Sequence, residues 1–128
     1  MIDKNTGKIQ IADSLIVFPN YTFDEYKNSK FYNGETGVQE IQLEDPQMID
    51  GKNYLVSLIF INNVIYSISL VNVDEIFSEQ NEPERKKVHD EILKECGINS
   101  DVQYGWGRVS SDYDSRGNVS SISIYYKE

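Results

Sequence analysis

The amino-acid sequence predicts an α+β fold: a mainly antiparallel sheet with two helices packed on it, in the order ββ-α-βββ-α-ββ. Three observations carry this. Two long apolar-rich runs, Tyr54–Ile61 and Val64–Val73, flank Asn62-Asn63, a pair that tolerates the positive φ of a tight hairpin turn. One stretch, Glu82–Cys96, places apolar residues at helical spacing between start and stop signals. The remaining strand-like runs are short and separated by turn residues, so hairpins dominate, and hairpins build antiparallel sheets.

Taken in order, Lys8–Ile11 and Leu15–Phe18 form a small hairpin around Ala12-Asp13-Ser14, closed by Pro19-Asn20. A short helix over 22–31 follows. Thr22 and Glu25 form a capping box, each side chain satisfying the other residue's free backbone N–H, and Tyr21 and Tyr26 occupy the staple positions. Between 33 and 52, Gly34, Gly37, Pro46 and Gly51 act as breaks around one short strand, Val38–Leu43.

In the central hairpin, a turn tip at Asn62-Asn63 pairs Ile61 with Val64 and Ile59 with Tyr66. One face then carries Leu55, Ile59, Ile61, Tyr66, Ile68 and Leu70. The other carries Val56, Leu58, Phe60, Ile65 and Val71, diluted by Ser67 and Ser69. In the second helix Asn81 is the cap, Pro83 fits the first turn and Glu84 is the acidic third residue. Val88, Ile92, Leu93 and Cys96 form its apolar stripe, and Gly97 ends it with Ile98 folded back. The last strands are Val102–Ser110 and Val119–Tyr126, joined across Ser111–Asn118. Val56, Leu58, Ile59, Phe60, Ile65, Ile68, Val88, Ile92 and Leu93 are the expected core.

The chain has 128 residues, 39% apolar and 26% charged, with nine Tyr, five Phe and one Trp. That is too apolar and aromatic for a disordered tail, and residues 1–128 have the size of a single domain. One Cys excludes an internal disulfide and any zinc site built from several Cys. The longest apolar run is interrupted by Ser57, Asn62 and Asn63, so no membrane span is expected. The start, MIDKNTGKIQIADSLIV, lacks a signal-peptide core and cleavage site, so a soluble, cytoplasmic protein is expected.

The net charge of −9 is uneven. Residues 1–30 and 85–128 are each charge-balanced. The segment 31–84 holds ten acidic residues against Lys52 alone, and so carries the whole imbalance. Nucleic acid needs the opposite sign to neutralise its phosphates, and an anionic membrane repels this surface. The acidic segment is either a solvated face that aids solubility or a docking surface for a basic protein. On the second reading the partner-binding residues are Glu40, Glu44, Asp45, Asp50, Asp74, Glu75, Glu79 and Glu82, with Tyr104 and Trp106 as aromatic anchors.

Motifs that carry catalysis fail on inspection. Asp112-Tyr113-Asp114-Ser115-Arg116-Gly117 begins like a calcium loop, but its fifth position is Arg116 and its twelfth is Ser123; a hairpin turn with Gly117 at positive φ fits better. His89 and Cys96 stand roughly 10 Å apart along one helix, too far for a nucleophile–base dyad. Cys96 on the stripe reads as a small core residue, and His89 beside it as a hydrogen-bonded one. Glu44-Asp45, Asp74-Glu75 and Glu82 with Glu84 read as surface acids, since nothing predicts a pocket between them. Gly105-Trp106-Gly107 precedes no helix and is no phosphate loop. In a strand, Tyr104, Trp106 and Arg108 point one way and both glycines the other, marking close approach of a helix or bulky ring. Core packing of Trp106 against a helix stands beside its reading as a binding hot spot. No catalytic residue, metal site or cofactor is expected.

The C-terminal third combines Glu82-x-Glu84-Arg85-Lys86, His89-Asp90, Leu93, Gly97, Tyr104-Gly-Trp-Gly and Tyr113-Asp114-x-Arg116-Gly117-x-x-Ser120, then alternating Ile122, Ile124 and Tyr126. Over about residues 82–126 this is similar to small, largely uncharacterised bacterial proteins, some of them immunity proteins of polymorphic or contact-dependent toxin systems. The resemblance implies a cytoplasmic immunity protein that neutralises a cognate basic toxin, often a nuclease, by occlusion, and it implies no catalytic residue. Two other readings stay open: a small-ligand module or small enzyme with a cleft near Tyr104 and Trp106, and a homo-oligomeric structural protein that pairs through an edge strand.

Overall fold

The computed structural model describes residues 1–37 and 39–127; the expected strand start at Val38 lies outside the described residues. The fold is α+β, with two antiparallel sheets and two helices. Strands β1 (Ile9–Ala12) and β2 (Leu15–Val17) form the first hairpin, and α1 (Phe23–Tyr26) follows. Next come β3 (Glu40–Gln42), β4 (Gln47–Ile49), β5 (Lys52–Ile61) and β6 (Val64–Asn72), then α2 (Glu82–Glu95), β7 (Gly107–Asp114) and β8 (Val119–Tyr126). The large sheet runs β3-β5-β6-β8-β7, with β4 beside β3 on the outer side of β5.

The order is therefore ββ-α-ββββ-α-ββ, one strand more than the sequence predicts. The extra strand is β4. Its hairpin with β5 pairs Ile49 with Lys52 across Asp50-Gly51, both at positive φ (51° and 79°). Asp-Gly is a favoured two-residue hairpin turn, so Gly51 makes a turn where the sequence reading took it only as a break.

Helix α1 has the expected capping box, with Thr22 Oγ1 accepting from the Glu25 N–H at 3.1 Å. It stops at Tyr26 rather than near 31, because the chain tightens into i→i−3 bonds, Asn28 N–H to Glu25 O and Ser29 N–H to Tyr26 O. Backbone bonds from the Phe23 N–H to Asn63 O and from the Ile65 N–H to Tyr21 O strap it to the β5–β6 turn. Tyr21, Phe23 and Tyr26 then pack around Phe60.

The central hairpin turns on Asn62 (φ 52°) and Asn63 (φ 69°) and pairs Ile61 with Val64 as predicted. The next expected pair is wrong. Ile59 faces Ser67, not Tyr66, because a β-bulge interrupts the register after Phe60↔Ile65. One extra residue flips every side chain beyond it. Ile68 and Leu70 therefore share the buried face with Val56, Leu58 and Phe60, while Ile59 is half-buried on the other face. Facing rows on that open face run Ser57–Ser69–Ser123–Ser110 and Ile59–Ser67–Tyr125–Arg108.

Helix α2 covers the buried face. Its inward residues are Arg85, His89, Ile92 and Leu93, so the stripe is rotated from the predicted one: Val88 is half-buried and Cys96 exposed. Asn81 makes no side-chain cap; a 3-10 turn at Glu79–Asn81, capped by Ser78, leads into the helix instead. The end matches expectation: the Gly97 N–H bonds Lys94 O and the Ile98 N–H bonds Leu93 O, with Ile98 buried.

Strand β7 begins at Gly107, not Val102, since Tyr104 and Gly107 exchange both backbone bonds in a tight turn. It runs on to Asp114 because an edge strand's outer side chains face water and tolerate Asp112 and Asp114. In the β7–β8 turn the positive φ (51°) falls on Asn118, not Gly117.

Candidate functional site

The ten carboxylates of 31–84 do not form one patch. Glu44 and Asp45, exposed between β3 and β4, join Glu35 along a groove of about 380 Å³ whose aromatic wall is Phe31 and Tyr32. Lys30 is the basic residue there, its ammonium over the Phe31 ring at 5.4 Å. Glu40 is exposed on β3, opposite Ile59.

A second groove of about 390 Å³ lies between α2 and the start of β5. It gathers Asp74 and Glu75 with Glu91 and Glu95, facing Lys52 and Lys87. The two helix acids were missed in the sequence. Their i, i+4 spacing beside Val88 and Ile92 was the available signal, since those positions share a helix face.

Other predicted site residues are held within the fold. Asp50 is exposed at its turn and pairs with the Met1 amino group. Asp74 accepts from the Asn72 and Asn53 side-chain amides, each at 3.0 Å, and these bonds hold its carboxyl below the usual range. Glu82 is half-buried, pairs with Arg85 at 2.9 Å and accepts from the Ser120 N–H. Glu79 is exposed, and its carbonyl accepts from the Asn118 side chain. Glu82 and Asp74 thus tie α2 and β6 to their neighbours.

Trp106 is 7% exposed and belongs to the core, but against the N-terminal loop rather than a helix. Its indole N–H donates to Lys4 O at 2.9 Å, Tyr104 stacks on it at 5.5 Å, and a Cβ on Gly7 would lie 2.6 Å from its ring. The bulky ring expected beside a glycine is present, but the glycine is Gly7. Gly105 faces open space, and Gly107 meets the β8 backbone, where a Cβ would stand 1.9 Å from Tyr125 O. Tyr104 and Trp106 therefore fill space against each other and Gly7. Tyr66, exposed on β6, stands edge-on to Tyr125, over which the Arg108 guanidinium sits at 4.2 Å.

Beneath the second groove lies a buried polar chain. Fully buried His89 accepts the Asn72 N–H at Nε2 (3.0 Å), and Arg85 donates to Asn72 O. An acceptor Nε2 requires the neutral ring with its proton on Nδ1. Burial foremost, and then the Arg85 charge, push the His89 pKa down to about 4. Among the described residues, no group of three His, Cys, Asp or Glu is placed to hold a metal ion.

No family model matches the chain, and no curated protein or solved structure does either. No helix among the described residues is long and apolar enough to cross a membrane.

Proposed function

We propose that this is a cytoplasmic binding protein of the immunity type, which occludes a basic partner, a toxin domain such as a nuclease, with the acidic edge around β3 and β4. One observation supports this above the rest. Of the ten carboxylates in 31–84, Asp50, Glu82 and Glu84 have ion-pair partners; the other seven have none among the described residues. Three of the seven, Glu35, Glu44 and Asp45, line a single groove beside Phe31 and Tyr32. A nuclease must present basic surface to hold phosphates, and unpaired carboxylates beside aromatic anchors are its complement. The long-range field speeds encounter, the groove fixes register, and the bulk of the sheet blocks the partner's site. No residue takes a catalytic role.

The test is capture of basic proteins from a bacterial lysate on the immobilised chain, at low and high salt. Glu35→Lys with Glu44→Lys and Asp45→Lys abolishes capture of a salt-sensitive partner, whereas Asp13→Lys with Asp101→Lys leaves it intact. The captured protein, expressed alone, then arrests growth, and co-expression with the wild-type chain restores it. Equal capture by both variants, or a captured protein without toxicity, contradicts the proposal.

A further inference from the structure

The two helices cover one face of the large sheet. Helix α2 packs on β6, β7 and β8, and the aromatics at α1 pack around Phe60, all on the face of Val56, Leu58 and Leu70. The opposite face carries Leu55, Ile59, Ile61, Tyr66, Val71 and Tyr125, each half-buried or exposed. A sheet face left to water ordinarily reads polar. This one sets apolar side chains on either side of a row of serines. Its charge also differs from that of the whole chain. The net charge is −9, but on this face Arg108 and Lys127 stand against Glu40, Asp112 and Asp114. The repulsion between copies is therefore weakest here.

We propose that two copies of this chain pack open face to open face, about a two-fold axis parallel to β6. Across the sheet from β3 to β7, Glu40, Ile59, Ser67, Tyr125 and Arg108 stand in one row, with an acid at one end and a base at the other. An axis along β6 lays each copy's β3 over the other's β7, and each β5 over the other's β8. Glu40 then meets Arg108 twice, and Ile59 meets Tyr125 twice. Aligned sheets turn about 30° from one another, which displaces the ends of this row by roughly 5 Å, a span the long Arg108 side chain covers. An axis across the strands sets β3 over β3 and Arg108 over Arg108, so charge selects the first arrangement. Neither Glu40 nor Arg108 has an ion pair within its own chain among the described residues.

The next row holds Gln42, Ser57, Ser69, Ser123 and Ser110, with Ser69 at the axis. Face-packed sheets lie about 10 Å apart, which leaves room over these serines for ordered water bridging the facing hydroxyls. Five strands at ~4.8 Å spacing and the length of β6 at ~3.4 Å per residue give a face of roughly 19 by 28 Å. The pair then buries about 1,100 Å², the lower end for specific interfaces, so the dimer is reversible.

Sedimentation and light scattering of the full chain over a concentration series test this. The wild type steps reversibly from 14.8 kDa to twice that mass. Glu40→Arg and Arg108→Glu each set like charges opposite one another, and each weakens the dimer about tenfold or more. An equimolar mixture of these two variants re-forms the dimer, because each copy meets the charge its own row lacks. Ser69→Lys places two ammonium groups at the axis and abolishes pairing with the circular dichroism spectrum unchanged. Should the lysine variant misfold, the mixture decides alone. A wild type that stays at 14.8 kDa at its highest soluble concentration leaves the face to another partner and overturns the proposal. So does a dimer indifferent to both reversals, or a mixture no more associated than its components.

Discussion

The two edges of the large sheet handle the same problem in opposite ways. The β3 side is broken. β3 and β4 have three residues each, Pro46 lies between them, and Leu43 and Gln39 bond inward, leaving Glu40 and Gln42 as β3's outward residues. Short strands, proline and carboxylates are the devices that stop an edge from pairing with another strand. The β7 side is eight residues long and unbroken in register, and its first half is covered: Gly107 exchanges both backbone bonds with Tyr104, and Val109 is buried. Its open-face charges are mixed in sign, with Arg108 toward one end and Asp112 and Asp114 toward the other. A single-sign edge repels its own copy and suits a different molecule. On the proposed function, the β3 side meets the partner and the covered β7 side does not.

The largest expected effect removes the long edge itself. Gly107→Ala drives a Cβ to 1.9 Å from Tyr125 O, at a φ of 150° that favours glycine, so β7 cannot keep its place on β8. Thermal or urea unfolding should show a loss of about 3 kcal/mol or more. Gly105→Ala, two residues away in open space, should fall within about 0.5 kcal/mol of wild type.

The next effect is pH-dependent and belongs to neither edge. With the His89 pKa down at about 4 in the fold and near 6.5 in the unfolded chain, the unfolded chain takes up the proton first as pH falls. Stability is therefore full above about pH 6.5, declines toward pH 4, and levels off below it. About 3 kcal/mol is at stake, from about 1.4 kcal/mol per pKa unit. His89→Gln, whose side-chain carbonyl can accept the Asn72 N–H, should flatten this part of the profile while costing about 1 kcal/mol at neutral pH.

The smallest effect on the fold sharpens the acidic side. The triple reversal at Glu35, Glu44 and Asp45 should change unfolding free energy by about 1 kcal/mol or less, since none of the three has an ion pair among the described residues and Glu35 gives up only the Asn33 N–H it accepts at 2.9 Å. It should slow association with a basic partner about tenfold at low salt. An association rate left unchanged by this reversal would return the acids to a solvated surface.

Much of the fold is legible because local signals agree with tertiary packing. Asn62-Asn63 sets its turn, Thr22 and Glu25 their box, and Gly97 with Ile98 their helix end. The bulge at Tyr66, opposite the Ile59–Phe60 step, has no such signal. It adds one residue to β6, and the apolar Val64, Ile65 and Ile68 on both sides of it conceal the change of face. β4 was hidden by brevity despite Asp50-Gly51, and β7's outer half by polarity that suits an edge as well as a loop. The candidate site is less legible still. Charge arithmetic finds the acidic segment, but only the sheet order separates Glu44 and Asp45 from Asp74 and Glu75. Glu82 reads as a free acid until Arg85 and Ser120 are seen holding it.

The most direct test of the difference between the edges is amide hydrogen exchange, resolved by residue. The Val109 amide, buried on β7, should exchange at least about tenfold more slowly than the amides of Glu40 and Gln42, which are exposed on β3. Exchange at Val109 as fast as at Glu40 and Gln42 would contradict the account.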